Sequence, residues 1–318
     1  MGGRKAGRQM TGTEKQLNEL FGAGDHVIGA IVMWSLSGVR VTRDEFRSEL
    51  EGIGLGSAMP RDPRPNKALA TAVGSVKAPQ SLFPRRLSRD AWAVIRENEI
   101  DGVMQHEHVL TIALDDGTAK IAAISVLHDD VAQTYATKIV ARYCEVRRFV
   151  DTADVSTVMC SALRGTDVRA GMGAVSLRDR SGGVYFVPGP QVGVVKALKR
   201  VVERHSTSHV TTLVLHGNAD NLAEAAKVAG ETFTAQLNDL RCGLEAFAAE
   251  LQDAGKEATD RQIDTRVNHL QVLSDRVGLW SDVLGDVTAE LQGKIEEAKR
   301  QVAGMLGLDD DTAGPIAP

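Results

Sequence analysis

The 318-residue sequence predicts an α+β fold, a mostly antiparallel sheet with flanking helices followed by a long C-terminal antiparallel helical hairpin of coiled-coil-like spacing. Three observations carry that expectation. Apolar residues from Ile263 to Met305 recur in steps of three and four over about six heptads, the period of a helix with one buried seam. The middle of the chain changes to short apolar runs separated by Asp-Gly and Gly-Gly steps, the punctuation of hairpins. A composition of 43% hydrophobic and 25% charged residues is that of an ordinary globular chain, and with 4% aromatics its core has to be built mainly from Val, Leu, Ile and Ala.

The elements follow in order. Residues 1–16 have no periodicity and are expected to be a mobile tail, ahead of an α+β body over 17–217, a helical arm over 218–307 and an acidic tail over 308–318. The run 27–36 (VIGAIVMWSL) reads as a buried strand. Thr42 with Glu45 makes a capping-box pattern, opening a helix in which Phe46, Leu50 and Ile53 share a face until Gly54 and Gly56 stop it. Residues 59–89 hold prolines at 60, 63, 65, 79 and 84, with room for a short helix through Ala68, Leu69, Ala72 and Val73. Ser88 is expected to cap a helix burying Trp92 and Ile95.

Residues 108–114 and 119–126 are strand-like and joined through Asp115-Asp116-Gly117-Thr118, a tight-turn sequence, and 135–149 reads as a third, long strand. A helix over 155–163 precedes a second hairpin, 174–177 with 183–187, after which Pro188-Gly189-Pro190 leads into a helix over 191–204 and a strand over 209–215. In the arm, the first helix carries Leu222, Phe233, Leu237, Leu244, Phe247 and Leu251. Gly255 ends it, and Thr259 with Gln262 opens the second. A connection of about five residues joins only antiparallel neighbours. At ~1.5 Å per residue the second helix, read as one rod, is on the order of 65 Å long and projects beyond the sheet. Phe233, Phe247, Trp280 and Leu284, with Tyr185 of the body, are the expected partner-contact residues, offering a second seam for self-association.

Charge is unevenly spread. The net charge is −5, but residues 1–217 carry 28 Lys or Arg against 23 Asp or Glu, whereas 218–318 carry 9 against 19. The basic excess concentrates at Arg61, Arg64, Lys67, Arg85, Arg86 and Arg89, where Asp62 is the single acid between residues 59 and 89, and this suits a salt-sensitive contact with phosphates. No stacking aromatics are interleaved there, and the short helices are too far apart for a standard helix-turn-helix, so neither single-strand recognition nor that motif is indicated.

Enzymatic chemistry has thin support. Cys144, Cys160 and Cys242 are widely spaced and read as reduced thiols. No G-x-S-x-G elbow and no phosphate-cradling glycine loop is present. His106, His108, His128 and Asp129 could meet across the first hairpin as a metal site, yet residues at strand ends are ordinarily just solvated. No cofactor is expected. The longest apolar stretch, 27–36, cannot span a bilayer and no signal-like segment opens the chain, so no membrane association and a cytoplasmic location are expected.

The segments GVRVTRDEF, PRDPRPNKALATAV and RDRSGGVYFVP, followed by a helix and a two-helix arm, resemble an uncharacterised bacterial and phage protein family of unknown function. That resemblance covers most of the chain and implies architecture rather than an activity. The resulting expectation is a non-enzymatic protein that self-associates or binds a protein partner through the arm. The alternative is an accessory protein of phage or mobile-element type that binds nucleic acid through residues 61–89.

Overall fold

The computed structural model describes residues 27–100, 103–123, 129–166, 169–177, 183–217, 219–255 and 258–305. Two compact units emerge, and neither follows chain order. One, the arm unit, gathers residues 1–36, 156–204 and 208–318; the other, the inserted unit, comprises 37–155 with 205–207.

The arm unit holds a four-stranded antiparallel sheet in the order β10-β1-β9-β8, formed by β1 (Val27–Ser35), β8 (Val175–Ser176), β9 (Val184–Pro188) and β10 (His209–His216). β1, flanked by β10 and β9, is the buried strand that the branched run predicts, with Ile28, Ala30 and Val32 at most 1% exposed. One face of the sheet is covered by α4 (Thr152–Arg164) and α5 (Val192–Arg204), which bury Val158, Met159, Val195 and Leu198. Ile31, Val175, Phe186 and Leu215 turn the other way and join the core of the arm helices.

Those helices are α6 (Ala219–Ala254), α7 (Asp260–Gly278), a one-turn α8 (Ser281–Leu284) and α9 (Asp286–Met305). The expected single rod over 263–305 is therefore broken. Trp280 ends the first segment with φ −105° and ψ 6°, and Gly285, at φ 51° and ψ −124°, lets the chain reverse. Phe233 meets Trp280 while Phe247 lies under Arg266, so α7 runs antiparallel to α6. Ser274 bonds to Gln292 and Lys299 to Gln271, so α9 runs antiparallel to α7. The arm is an up-down-up set of three helices around Leu237, Leu273, Val277, Leu291 and Ile295, and the hairpin of the sequence reading gains a third member.

The inserted unit is a four-stranded antiparallel meander, β3 (Leu82–Arg86), β4 (Ala91–Ile100), β5 (Val103–Asp115) and β6 (Thr118–Ala123), in sequential order. β5 and β6 turn through the expected Asp-Gly step, with Asp116 at φ 47° and Gly117 at φ 72°, the backbone of a tight hairpin. Two expectations fail here. Residues 91–100 form β4 rather than a helix, because Trp92 and Ile95, three apart, lie on opposite faces of a strand. Residues 135–149 belong mostly to a helix, α3 (Asp130–Arg148), whose Ala132, Tyr135, Ala136, Ile139 and Tyr143 recur at helical spacing and are buried. With α2 (Pro65–Ser75) it covers one face of the meander, and Ala68, Ala72, Ala132 and Ala136, all at 0%, are small enough to permit close helix approach. The unit also contains α1 (Arg43–Gly52), capped by Thr42 as expected, and the short antiparallel pair β2 (Val41–Thr42) and β7 (Phe149–Val150).

Candidate nucleic-acid interface

The α2–α3 layer is amphipathic by construction. Arg64 is the N-cap of α2 with extended backbone, and Pro65 fills the first helical position, where a missing N–H costs nothing. The buried stripe Ala68, Leu69, Ala72 and Val73 then leaves Arg64 and Lys67 exposed. In α3, Asp129 caps the first turn by accepting from Val131 N and Ala132 N at 3.1 Å, and the buried stripe leaves Lys138, Arg142, Arg147 and Arg148 outward. Arg147 and Arg148 occupy the last turn, where the helix dipole favours cations. Outward acids on α3 are Asp130 and Glu145, and Glu145 already accepts from Arg142 at 2.9 Å.

Arg85 and Arg86 end the edge strand β3, in which Pro84 removes one N–H from the ladder. The following turn is tied down locally. Arg86 Nε donates to Ser88 O at 3.0 Å, Asp90 N to Ser88 Oγ at 3.2 Å, and Leu114 N to Asp90 O at 2.8 Å, which fixes this turn beside the β5–β6 turn. Arg147 Nη1 reaches Gly117 O at 2.9 Å from the helix layer. Together these elements frame an open cleft of about 420 Å³ lined by Arg64, Asn66, Arg89, Asp90, Asp116 and Gly117. Among the described residues, Arg61, Arg64, Lys67, Arg85 and Arg89 form no ion pair, and the nearby acid Asp62 is held by Arg47 at 2.8 Å. Asp90 and Asp116 are the acids that oppose an anion in the cleft. Arg64 and Arg89, twenty-five positions apart, thus share one opening, and the α3 cations extend the basic surface beyond the proline-rich segment to which sequence reasoning confined it. Reading 135–149 as a strand hid them, since alternation would have scattered their charges over two faces.

The other candidate residues lie elsewhere. His106 packs edge-on against Phe83 with centroids 5.8 Å apart, and its Nδ1 is 3.6 Å from Glu97. His108 Nε2 sits 3.1 Å from Leu110 O and 3.0 Å from Thr111 Oγ1. Asp129 pairs with Arg96 besides capping α3, and His128 lies outside the described residues. No three metal-ligating side chains converge among the described residues.

The expected partner-contact residues are spent on the chain's own packing. Trp280, fully buried, donates from Nε1 to Gly173 O at 2.7 Å and touches the rings of Phe186 and Phe233. Leu284 belongs to the same core, and Phe247 is covered by the Arg266 guanidinium 3.3 Å from its ring centroid. Tyr185 is buried between Trp34, stacked at 5.4 Å, and Cys160, whose Sγ is 3.8 Å from the phenol oxygen. Burial, followed by the Cys160 contact, raises the Tyr185 hydroxyl above the usual tyrosine value.

Fold and surface together define a mixed α+β protein with antiparallel sheets, a basic two-helix face and a helical C-terminal arm, and no described helix is long and apolar enough to cross a membrane. The chain belongs to the family of unknown function DUF6744, whose profile matches residues 27–309. No curated protein and no solved structure matches it.

Proposed function

We propose that this is a nucleic-acid-associated accessory protein, non-enzymatic, that meets the phosphates of a duplex with the inserted unit. The observation that carries the reading is the set of exposed cations on and beside the α2–α3 layer, among which Arg61, Arg64, Lys67, Arg85 and Arg89 have no ion-pair partner among the described residues. Cations left unneutralised by the fold can neutralise a polyanion, and each phosphate so neutralised releases condensed counterions. Sequence-independent backbone contact suits such a surface, since the layer offers point charges and no aromatic platform.

Self-association through the arm has less in its favour, because the residues expected to form a second seam are inside the three-helix core. The test is fluorescence anisotropy with a labelled duplex across a salt series. Binding is expected to weaken linearly in log–log form, with a slope of about 0.9 per phosphate contacted. Arg61→Ala, Arg64→Ala, Lys67→Ala, Arg85→Ala and Arg86→Ala combined should flatten the slope and abolish binding at moderate salt. Wild-type affinity in that variant, or no duplex binding by the unmodified protein, overturns the reading.

A further inference from the structure

The inserted unit carries a second, smaller cleft at the other end of the helix layer, where the segment after α2 passes the N-terminal half of α3. Its volume is about 300 Å³, and Lys77, Pro79, Asp130, Thr134, Tyr135 and Lys138 line it. Three features set it apart from a solvated groove. Tyr135 is 2% exposed and its hydroxyl has no hydrogen-bond partner among the described residues, although a buried phenol O–H is costly to leave without one. Lys77 and Lys138, one on each wall, form no ion pair among the described residues. Thr134 and Lys138 are one helical turn apart on α3, so hydroxyl and ammonium stand on the same face.

We propose that this cleft is a binding site for a phosphate group, with Lys77 and Lys138 supplying charge and Tyr135 and Thr134 donating hydroxyl hydrogen bonds. The donor set favours phosphate over carboxylate. Two ammonium groups and two hydroxyls are separate point donors suited to a tetrahedral oxyanion, whereas planar bidentate recognition of carboxylate is the work of an arginine fork. Asp130, which also lines the cleft, opposes a negative charge close to it and orients the phosphate toward the lysine side. Burial raises the Tyr135 hydroxyl above the usual tyrosine value, so the phenol stays protonated and able to donate at neutral pH. Free phosphate and a terminal phosphoester present the same oxyanion, and the proposal does not depend on duplex binding by the basic face.

Inorganic phosphate and a nucleoside monophosphate are the two probes, titrated into the full chain and followed by isothermal calorimetry and amide chemical shifts, with acetate as the carboxylate control. Saturable binding is expected for at least one phosphate probe, at least tenfold tighter than for acetate. Tyr135→Phe deletes only the unpartnered hydroxyl, so it is expected to fold with equal or higher stability while binding about tenfold more weakly, the loss of one hydrogen bond to a charged group. Lys77→Ala, on the non-helical wall, is expected to weaken binding similarly without disturbing α3. Tighter binding of the monophosphate identifies a phosphoester as the source, and tighter binding of inorganic phosphate identifies the free ion. No saturable binding, equal binding of acetate, or unchanged affinity in both variants overturns the proposal.

Discussion

Arg43 enters the interior of the inserted unit with Asp154 as its ion-pair partner, while its Nε and Nη1 lie buried with no hydrogen-bond partner among the described residues. Its side chain is 7% exposed and that of Asp154 is 20%. Burial pushes the Asp154 carboxyl above its ordinary value, against the lowering pull of the Arg43 guanidinium. A carboxyl raised in the folded state contributes stability below its unfolded value, and loses it as pH climbs through the folded one. Arg43→Met removes the lowering pull, so Asp154 should titrate at still higher pH in that variant. The variant should also lose about 3 kcal/mol near neutrality, the lower end for a buried pair broken on one side, because its carboxylate keeps some solvent. At a pH low enough to protonate Asp154 the loss should shrink. Urea unfolding at the two pH values with carboxyl NMR checks this, and an equal loss at both would mean that packing of the arginine stem, not its charge, carries the effect.

At the level of elements, the reversal between α7 and α9 turns on Gly285, whose φ of 51° with ψ of −124° is a conformation that side chains resist. Among the described residues no neighbouring atom lies within 4 Å of where a Cβ would stand, so substitution there is a purely conformational test. Gly285→Ala should lower the denaturant midpoint by the equivalent of about 1–3 kcal/mol with an unchanged slope; no change would show that the chain reverses by another route. The sequence carries the apolar ladder of the arm clearly, because Leu270, Leu273, Val277, Leu291 and Ile295 obey the helical period. It hides the break, since Trp280 and Leu284 keep the same spacing through the turn and remain buried. Likewise α3 is masked by composition. Two of its core positions, Ala132 and Ala136, weigh little as apolar signals, while Ile139, Val140 and Val146 favour strands. The β5–β6 turn was legible because Asp116-Gly117 needs two positive φ values that few other pairs tolerate. The cleft shared by Arg64 and Arg89 was not, since it depends on which turns the sheet brings side by side. The basic character of residues 61–89 was visible as bare composition, whereas the α3 cations became a face only once 130–148 was helical.

Across the whole molecule, charge and packing assign different work to the two ends of the chain. Residues 218–318 carry 9 Lys or Arg against 19 Asp or Glu, and the seams among α6, α7 and α9 are apolar, so the outward faces of the arm are acidic and would repel a polyanion. Apolar burial in the arm is mutual. Phe233, Leu237 and Ala229 of α6 are covered by residues of α7, α8 and α9, and Phe186 of the sheet is covered by Trp280. A chain ending at residue 255 would therefore leave a large ring and several aliphatic side chains facing water, with each lost Leu- or Phe-sized burial worth about 1.5–3 kcal/mol. That sum exceeds the margin of an ordinary domain. Truncation at 255 is thus expected to give an aggregating or dye-binding species with lost near-ultraviolet tryptophan signal, instead of a smaller well-folded particle. Light scattering and near-ultraviolet dichroism on the truncated and full chains decide it. A monodisperse, cooperatively folding truncation product would show that α7, α8 and α9 are an accessory to the arm-unit core, and would restore an open apolar face on α6 as a surface for a partner.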